Sequence, residues 1–271
     1  MTKEAPTPPS TDPPLVSVVT PSLNQGKYIE EAILSVLEQD YPRVEHIVVD
    51  GGSTDQTVSI LHRHRHLHWV SEPDRGQADA INKGFRLANG AVFSWLNADD
   101  FLLPNAIATA VRVLLETNAA LVHGGWRQVK DDGTPIRDVP VVPFDQMRQL
   151  EIANRVCQPG AFFTRSAYWE VGGVDERYRY AMDYELWLKI GARFEIAHTD
   201  HIQAAYRYHP ASKSVASYAA FGPETVRASR EHGGRRFSPI YVDWYLPRHR
   251  PVLYRAVLAW RRLRRLVARL A

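Results

Sequence analysis

The sequence predicts an α/β fold with a mostly parallel central sheet flanked by helices, on three observations. Short branched or apolar runs recur at 15–20, 46–49, 67–70 and 92–96. Stretches of helical period separate them, the alternation expected of strand–helix crossovers. Polar or acidic residues close several of these runs, at the edge where an α/β sheet faces a ligand crevice.

Taken in order, the run 15–20 ends at Pro21-Ser22, and Asn24-Gln25-Gly26 makes the turn. A helix over about 27–39 follows, with Ile29, Ala32, Ile33, Val36 and Leu37 forming one apolar face. The second strand, 46–49, stops at Asp50-Gly51-Gly52-Ser53-Thr54-Asp55, a turn feeding another helix. After the third strand, Ala78, Ile81, Phe85 and Ala88 share one side of a helix over 77–88. The fourth strand runs straight into Asn97-Ala98-Asp99-Asp100. A helix is expected over 105–116, then looser strands over 121–130, a turn at 131–133 and loops to about 160. A helix over 183–190 and a polar strand and loop over 194–214 complete the pattern.

With 271 residues, 45% hydrophobic and 23% charged, the chain fits a soluble globular protein with one large core or a main domain and small appendage. Residues 1–14 are rich in Pro, Thr and Ser, so a disordered lead-in is expected rather than a signal peptide. No run of 18 apolar residues exists, so no conventional membrane span is expected. A single cysteine, Cys157, excludes an intrachain disulfide and a cysteine-based metal cluster, and fits a reducing compartment. Both common nucleotide loops, Gly-x-Gly-x-x-Gly and Gly-x-x-x-x-Gly-Lys-Ser/Thr, are missing.

The adjacent carboxylates Asp99 and Asp100 repel unless a cation or basic group offsets them. Magnesium or manganese holding a substrate diphosphate is the simplest such cation, with helix capping the alternative for Asp99. Asn97, two residues before Asp99, emerges on the same side of an extended segment. Asp50 could accept from a nucleobase or ribose, or cap its turn; Asp55 reads first as a cap. Asp74 and Arg75 stand where they could meet ribose and diphosphate, or a surface turn could explain them. Lys83, in mid-helix, could simply be solvated. Asp183, at a helix start, could take a proton from an acceptor hydroxyl, and that position favours its ionised form. His209 could complete a metal site or bind diphosphate, with Lys213 and Ser214 nearby favouring an anion. The alternating His62, His64, His66 and His68 read as an exposed linker or strand rather than a metal strip.

The order of these stretches resembles family 2 glycosyltransferases of the GT-A fold, bacterial enzymes that transfer a sugar from a nucleotide donor. The matching segments are Val16 through Asn24, Val48 through Asp55, Ser71 through Gly90, and Leu96-Asn97-Ala98-Asp99-Asp100. Further on come Gln158-Pro159-Gly160, Gly172 through Glu176, Asp183 through Trp187, and Arg207-Tyr208-His209-Pro210. The resemblance covers about 15–214 and implies a Rossmann-like nucleotide-binding half. It implies Pro21, Asn24, Asp50, Asp74, Arg75, Lys83, Asn97 and Asp99 on the donor. It also implies Asp99, His209 and Asp100 on Mg2+ or Mn2+, and Asp183 as the base of an inverting displacement. Two departures stand out: Asn97 replaces the first acid of an Asp-x-Asp pattern, and Met182 precedes the base where an acid is common.

The implied organisation is a lead-in over 1–14, a catalytic domain over 15–214 and a helical extension over 215–271. The donor half spans about 15–104 and the acceptor half about 105–214. Of 33 lysines and arginines, eight arginines fall in 248–271, which holds no acid; the rest of the chain is net negative. From 251, Leu253, Val257, Trp260, Leu263, Val267 and Leu270 recur at helical spacing among those arginines. That pattern suits a helix lying on an anionic membrane, with packing on protein the alternative. Nucleic acid is not expected, since no aromatic stacking platform accompanies the arginines. The expected partners are a nucleotide-sugar donor and a glycan or lipid-linked glycan acceptor, in the cytoplasm or on the inner face of the cell membrane. Rival readings are a silent nucleotide-sugar-binding module and a sugar nucleotidyltransferase.

Overall fold

The computed structural model describes residues 12–259 except 153, 217, 237 and 245. The strands are β1 (Val16–Ser22), β2 (Val44–Asp50), β3 (His68–Ser71), β4 (Val92–Trp95), β5 (Phe101–Leu102), β6 (Leu121–Lys130), β7 (Pro135–Val139), β8 (Ala161–Thr164) and β9 (Ile196–Tyr208). The helices that matter here are α1 (Ile29–Leu37), α2 (Thr57–Leu61), α3 (Gln77–Leu87), α4 (Ala106–Thr117), α5 (Gln146–Glu151), α6 (Arg165–Glu170), α7 (Met182–Gly191), α8 (Lys213–Ala216) and α9 (Tyr218–Glu231).

All nine strands join one sheet, ordered β3-β2-β1-β4-β8-β6-β9-β5, with β7 on β6. The first four are parallel, as their helical crossovers require. The rest corrects the expectation of a mostly parallel sheet. Strand β8 runs antiparallel to both β4 and β6, β7 forms a hairpin on β6, and β5 is antiparallel to β9. Only β6 and β9 are parallel there. The hairpin turns through Gly133, whose positive φ of 84° suits a residue without Cβ, so β7 returns without a crossover helix.

Strand β1 lies between β2 and β4, so the chain leaves it in opposite directions and a crevice opens at the strand ends. Register places Ser22 beside Asp50 and Asp50 beside Ser71 along that edge. Beneath it, Trp95 stacks on Trp187 of α7, with centroids 5.7 Å apart. Phe85, Phe93, Phe163 and Tyr168 continue the core. Helix α3 sits directly on β1, and a Cβ at Gly84 would collide with Val19. Leu37 is exposed at the end of α1 rather than part of its buried face.

Residues 251–259 are helical, with Val252 and Leu253 exposed. Trp260 and everything after it, like the lead-in up to residue 11, lie outside the described residues.

Candidate active site

A cavity of about 970 Å³ opens where β1 and β4 end, within the range of ligand sites. Its wall includes Pro21, Asp74, Arg75, Gln77, Asn97, Asp99 and Asp100 from the parallel side. Across it stand Trp126, Asn154, Gln158, Tyr180, Asp183, Tyr206, Lys213 and Phe221. The sequence-expected acids Asp99 and Asp183 thus border one space, although 84 positions separate them in the chain.

Several expected donor contacts instead hold loops. Asp50 is fully buried and accepts from the backbone N–H groups of Ser53 (2.8 Å) and Gly52 (3.2 Å), and from the hydroxyls of Ser71 (2.7 Å) and Ser53. Asn24 adopts φ 53°; its backbone N–H donates to Ser53 Oγ and its Oδ1 accepts from Thr54 N–H. Asp55 ties Gly26 to Thr57 at the start of α2, accepting from both backbone N–H groups, while Gln56 occupies the cap position itself. Neither Asp50 nor Asn24 lines the cavity. Lys83 does not either: it stands one turn further along α3 than the lining residues Asp79 and Ala80, and pairs with Glu72 at 3.0 Å and Asp79 at 3.6 Å.

On the rim, Asp74 Oδ1 accepts from Gly76 N–H at 2.7 Å, and Gly76, with φ 121°, starts α3. The absence of a side chain on Gly51 leaves room for the Asp74 carboxylate. Arg75 is largely exposed and pairs with Asp79 and Glu176.

The loop after β4 forms a denser network. The Asn97 amide donates to Gln158 Oε1 (2.9 Å) and Asp100 Oδ2 (3.2 Å), while its Oδ1 accepts from Gln77 Nε2 (2.7 Å). An acid at 97 would turn those two donor bonds into clashes between acceptors, which accounts for Asn here. Asp100 is buried and accepts from Arg207 N–H at 2.9 Å. Burial, then the neighbouring Asp99, raises its pKa well above the usual carboxylate range. The Arg207 guanidinium binds the carbonyls of Asp99 and Asp131 and the Glu31 carboxylate, stapling the acid loop to the hairpin.

Asp99 Oδ2 lies 3.0 Å from His209 Nε2, and the buried His209 ring packs on Tyr28. Among the described residues no three His, Cys, Asp or Glu side chains converge as a ready metal cage. The Asp99–His209 spacing does suit two adjacent ligands of one small cation, whose other positions phosphate oxygens and water would fill. The four histidines from His62 to His68 make no such group: His62 meets Trp69, and His64 meets Glu30 and His66.

Asp183 opens α7 and accepts from Asn154 Nδ2 at 2.9 Å. Burial pushes its carboxyl up to about 6 against the bonds from Tyr184 N–H and Asn154. Desolvation thus works against the helix start, and a carboxyl at about 6 is still mostly ionised near neutral pH. Lys213 faces the cavity, donating to Gln77 Oε1 at 2.6 Å and Arg179 O at 3.3 Å. Protein crowded around its ammonium, then Arg179, lowers its pKa. Asn154 carries no signal in the sequence, and Gln77 and Gln158 stand out there only within the matched stretches Ser71 through Gly90 and Gln158-Pro159-Gly160; their meeting in space marks all three.

A parallel half-sheet ending in acids, a cavity large enough for a nucleotide sugar and a carboxylate across it define the GT-A class of architecture. The family model for glycosyl transferase family 2 matches residues 17–172. The chain belongs to that family. An uncharacterised glycosyltransferase of Mycobacterium tuberculosis is 34% identical over 183 residues, covering 66% of this chain and 70% of its own. Chondroitin synthase of Escherichia coli is 30% identical over 194 residues, covering 70% of this chain but only 28% of that enzyme. An uncharacterised glycosyltransferase of Rickettsia felis, 28% identical across 76% of this chain, is likewise matched over 36% of its length. The chain thus spans about a third of several curated relatives. Among solved structures, the mannosyltransferase PcManGT of Pyrobaculum calidifontis, in complex with GDP-Man and Mn2+, aligns with TM-score 0.64 and 22% identity over 92% of this chain and 74% of its own. S. aureus TarS 1-349 with UDP-GlcNAc aligns with the same TM-score at 18% identity over 80% of this chain and 66% of its own. At those identities the likeness establishes the fold.

Proposed function

We propose that this chain transfers a sugar from a nucleoside-diphosphate sugar to an acceptor hydroxyl in a single, inverting displacement. The observation that carries the reading is the shared cavity: Asp99 and Asp183 both border its 970 Å³. Family membership supports it independently.

In this reading the nucleoside lies along Pro21 and Asp74, with Asp50 and Asn24 holding the shape of the two loops beneath it. The diphosphate turns towards Asp99, Lys213 and Arg75. A divalent ion, Mg2+ or Mn2+, would be held by Asp99 and His209, with Asp100 behind them, and would offset charge on the leaving nucleoside diphosphate. The relative solved with GDP-Man and Mn2+ supports that choice of ligand class. Lys213, reaching in from the opposite wall, adds positive charge near the diphosphate. Asp183 accepts the acceptor proton as the hydroxyl oxygen attacks the anomeric carbon from the face opposite the diphosphate. Its pKa of about 6 leaves it mostly ionised near neutrality yet more basic than an ordinary aspartate.

The acceptor fits a glycan or lipid-linked glycan of the cell surface. A peripheral location on the inner face of the cell membrane follows if residues 251–271 lie on an anionic bilayer. The exposed Val252 and Leu253 are compatible with that. Among the described residues no helix is long and apolar enough to cross a membrane. Deleting 251–271 should abolish sedimentation with phosphatidylserine vesicles and leave donor binding intact; unchanged sedimentation would exclude the membrane role.

A panel of nucleotide sugars, each with and without Mn2+, tests the main reading by calorimetry, followed by product analysis with candidate glycans. Metal-dependent binding and a product of inverted anomeric configuration are expected. Release of pyrophosphate from a nucleoside triphosphate would instead identify a nucleotidyltransferase. Donor binding without transfer to any glycan would favour the silent binding module.

A further inference from the structure

Helix α9 lies beyond the stretch matched by the family, yet it reaches the cavity. Its residues at helical spacing contact the segment that leads into α7. Glu224 Oε2 accepts from three consecutive backbone N–H groups: Arg179 at 3.0 Å, Tyr180 at 2.7 Å and Ala181 at 3.0 Å. One turn earlier on α9, Phe221 packs against Tyr180 with centroids 5.3 Å apart, and both rings line the cavity. One turn later, Arg227 donates to Arg177 O at 2.9 Å and lies over the Tyr178 ring. At the end of the helix, Glu231 accepts from the Tyr178 hydroxyl at 2.9 Å. Three successive N–H groups pointing one way form a concavity for an anion. Here the chain fills it with its own carboxylate, two residues before Asp183.

We propose that Glu224 is a positioning residue that fixes the acceptor wall of the cavity and the start of the helix carrying Asp183. The inference rests on the transferase reading above. The three donors belong to residues 179–181, whose backbone sets where Tyr180 stands and where α7 begins. Arg179 also offers its carbonyl to Lys213 at 3.3 Å, but Lys213 is held more closely by Gln77 of α3 at 2.6 Å, a bond that does not pass through this turn. The wall that Glu224 secures is aromatic, Tyr180 beside Phe221, a surface that takes the apolar face of a sugar ring. The donor side does not depend on it: Pro21, Asp74 and Asp99 sit on other elements with their own bonds. Loss of the latch should therefore affect the acceptor step and spare nucleotide binding.

The test compares Glu224→Ala with Glu224→Gln, which keeps one carbonyl oxygen for the N–H groups. Amide hydrogen exchange at 179–184 should accelerate about tenfold or more in the Ala variant, with β1 to β4 unchanged, and return towards wild type in the Gln variant. The dissociation constants of UDP and GDP with Mn2+ should stay the same. With the glycan acceptor found in the product screen, acceptor KM should rise and kcat fall in the Ala variant, with the Gln variant recovering most of both. Unaltered exchange at 179–181 in the Ala variant overturns the proposal. So does nucleotide binding that weakens in step with turnover, since that marks general loss of structure. If the wild-type chain transfers no sugar, the transferase reading falls, while the exchange experiment still decides whether Glu224 holds the turn.

Discussion

The two sides of the cavity are built differently. On the donor side, functional positions sit at the ends of adjacent parallel strands, and short loops there brace one another: Asn24 to Ser53 and Thr54, Asp50 to Ser71. On the acceptor side the contacts come from distant stretches of chain, Asn154 to Asp183, Lys213 to Gln77 and Glu224 to the turn at 179–181. The donor side is thus a rim dictated by sheet topology, and the acceptor side is assembled around it by later elements. Binding of the nucleotide should survive damage that abolishes transfer, and substitutions can test that separation.

The largest effect is expected at Asp183. Asp183→Asn should lower kcat by about 10²–10⁴, the usual contribution of a general base, while nucleotide affinity stays within about twofold of wild type by the same separation of sides. In the wild-type enzyme, kcat/KM should fall as pH drops through about 6, where the carboxyl takes up its proton. The same shift predicts a gain in stability. A folded-state pKa raised above the unfolded value penalises the ionised form, so the penalty is full above pH 6 and vanishes below about 4. Asp183→Asn should therefore raise stability near neutrality by about 1–3 kcal/mol, and the gain should disappear in acid. Thermal melts at several pH values measure this. A variant with normal turnover would remove Asp183 from the chemistry and erase the contrast between the sides.

The contrast also explains what could be read from the sequence. Periodicity located β1, β2, β3 and β4 with their intervening helices, and the acids at the strand ends followed from topology. Asp55 meets the first residue of α2, which local sequence suggests, and Gly26 of another loop, which it does not. The position of β8 between β4 and β6 is not legible, since four residues pairing with strands 38–42 and 70–72 positions away leave no local signal. The resemblance puts Asn97 on the donor in place of an acid; its bonds to Gln158 and Asp100 add a role that no neighbouring residue announces. For Lys83 the sequence offers a solvated mid-helix place or, through the resemblance, the donor; its pairing with Glu72 depends on the fold and has no local signal.

Next in size is the Asp99–His209 pair. Asp99→Ala and His209→Ala should each weaken Mn2+-dependent nucleotide binding by roughly 10- to 100-fold, in line with the loss of a ligand from a hard-cation site. Binding measured without metal should change little. Equal losses with and without Mn2+ would mean that the pair holds the loop and not an ion.

Asn97→Asp sharpens the same point from the other direction. It restores the acid common in the family and places a carboxylate against Asp100 and Gln158. Stability should fall by about 1 kcal/mol because a half-buried donor becomes an acceptor facing other acceptors. Added Mn2+ with UDP or GDP should recover part of that loss by neutralising the cluster. A variant as stable as wild type without metal would show that the amide network is dispensable.

The smallest expected effect is at the exposed rim. Arg75 is 74% exposed, and its bonds to Asp79 and Glu176 are of the kind that solvent screens. Asp79 is nearly fully buried, and its pKa is lowered to about 2, chiefly by Arg75. A depressed carboxylate pKa contributes stability above the unfolded value near 4 and loses it as pH falls towards 2. Arg75→Ala should therefore leave neutral-pH stability close to that of wild type, since Lys83 and the backbone N–H of residue 75 still face Asp79. Its acid unfolding transition should begin at higher pH. If Arg75 also meets the diphosphate, donor KM should rise a few-fold with kcat unchanged, the signature of uniform binding. A matching fall in kcat would place Arg75 with the transition state and tie the rim more closely to the chemistry than its exposure implies.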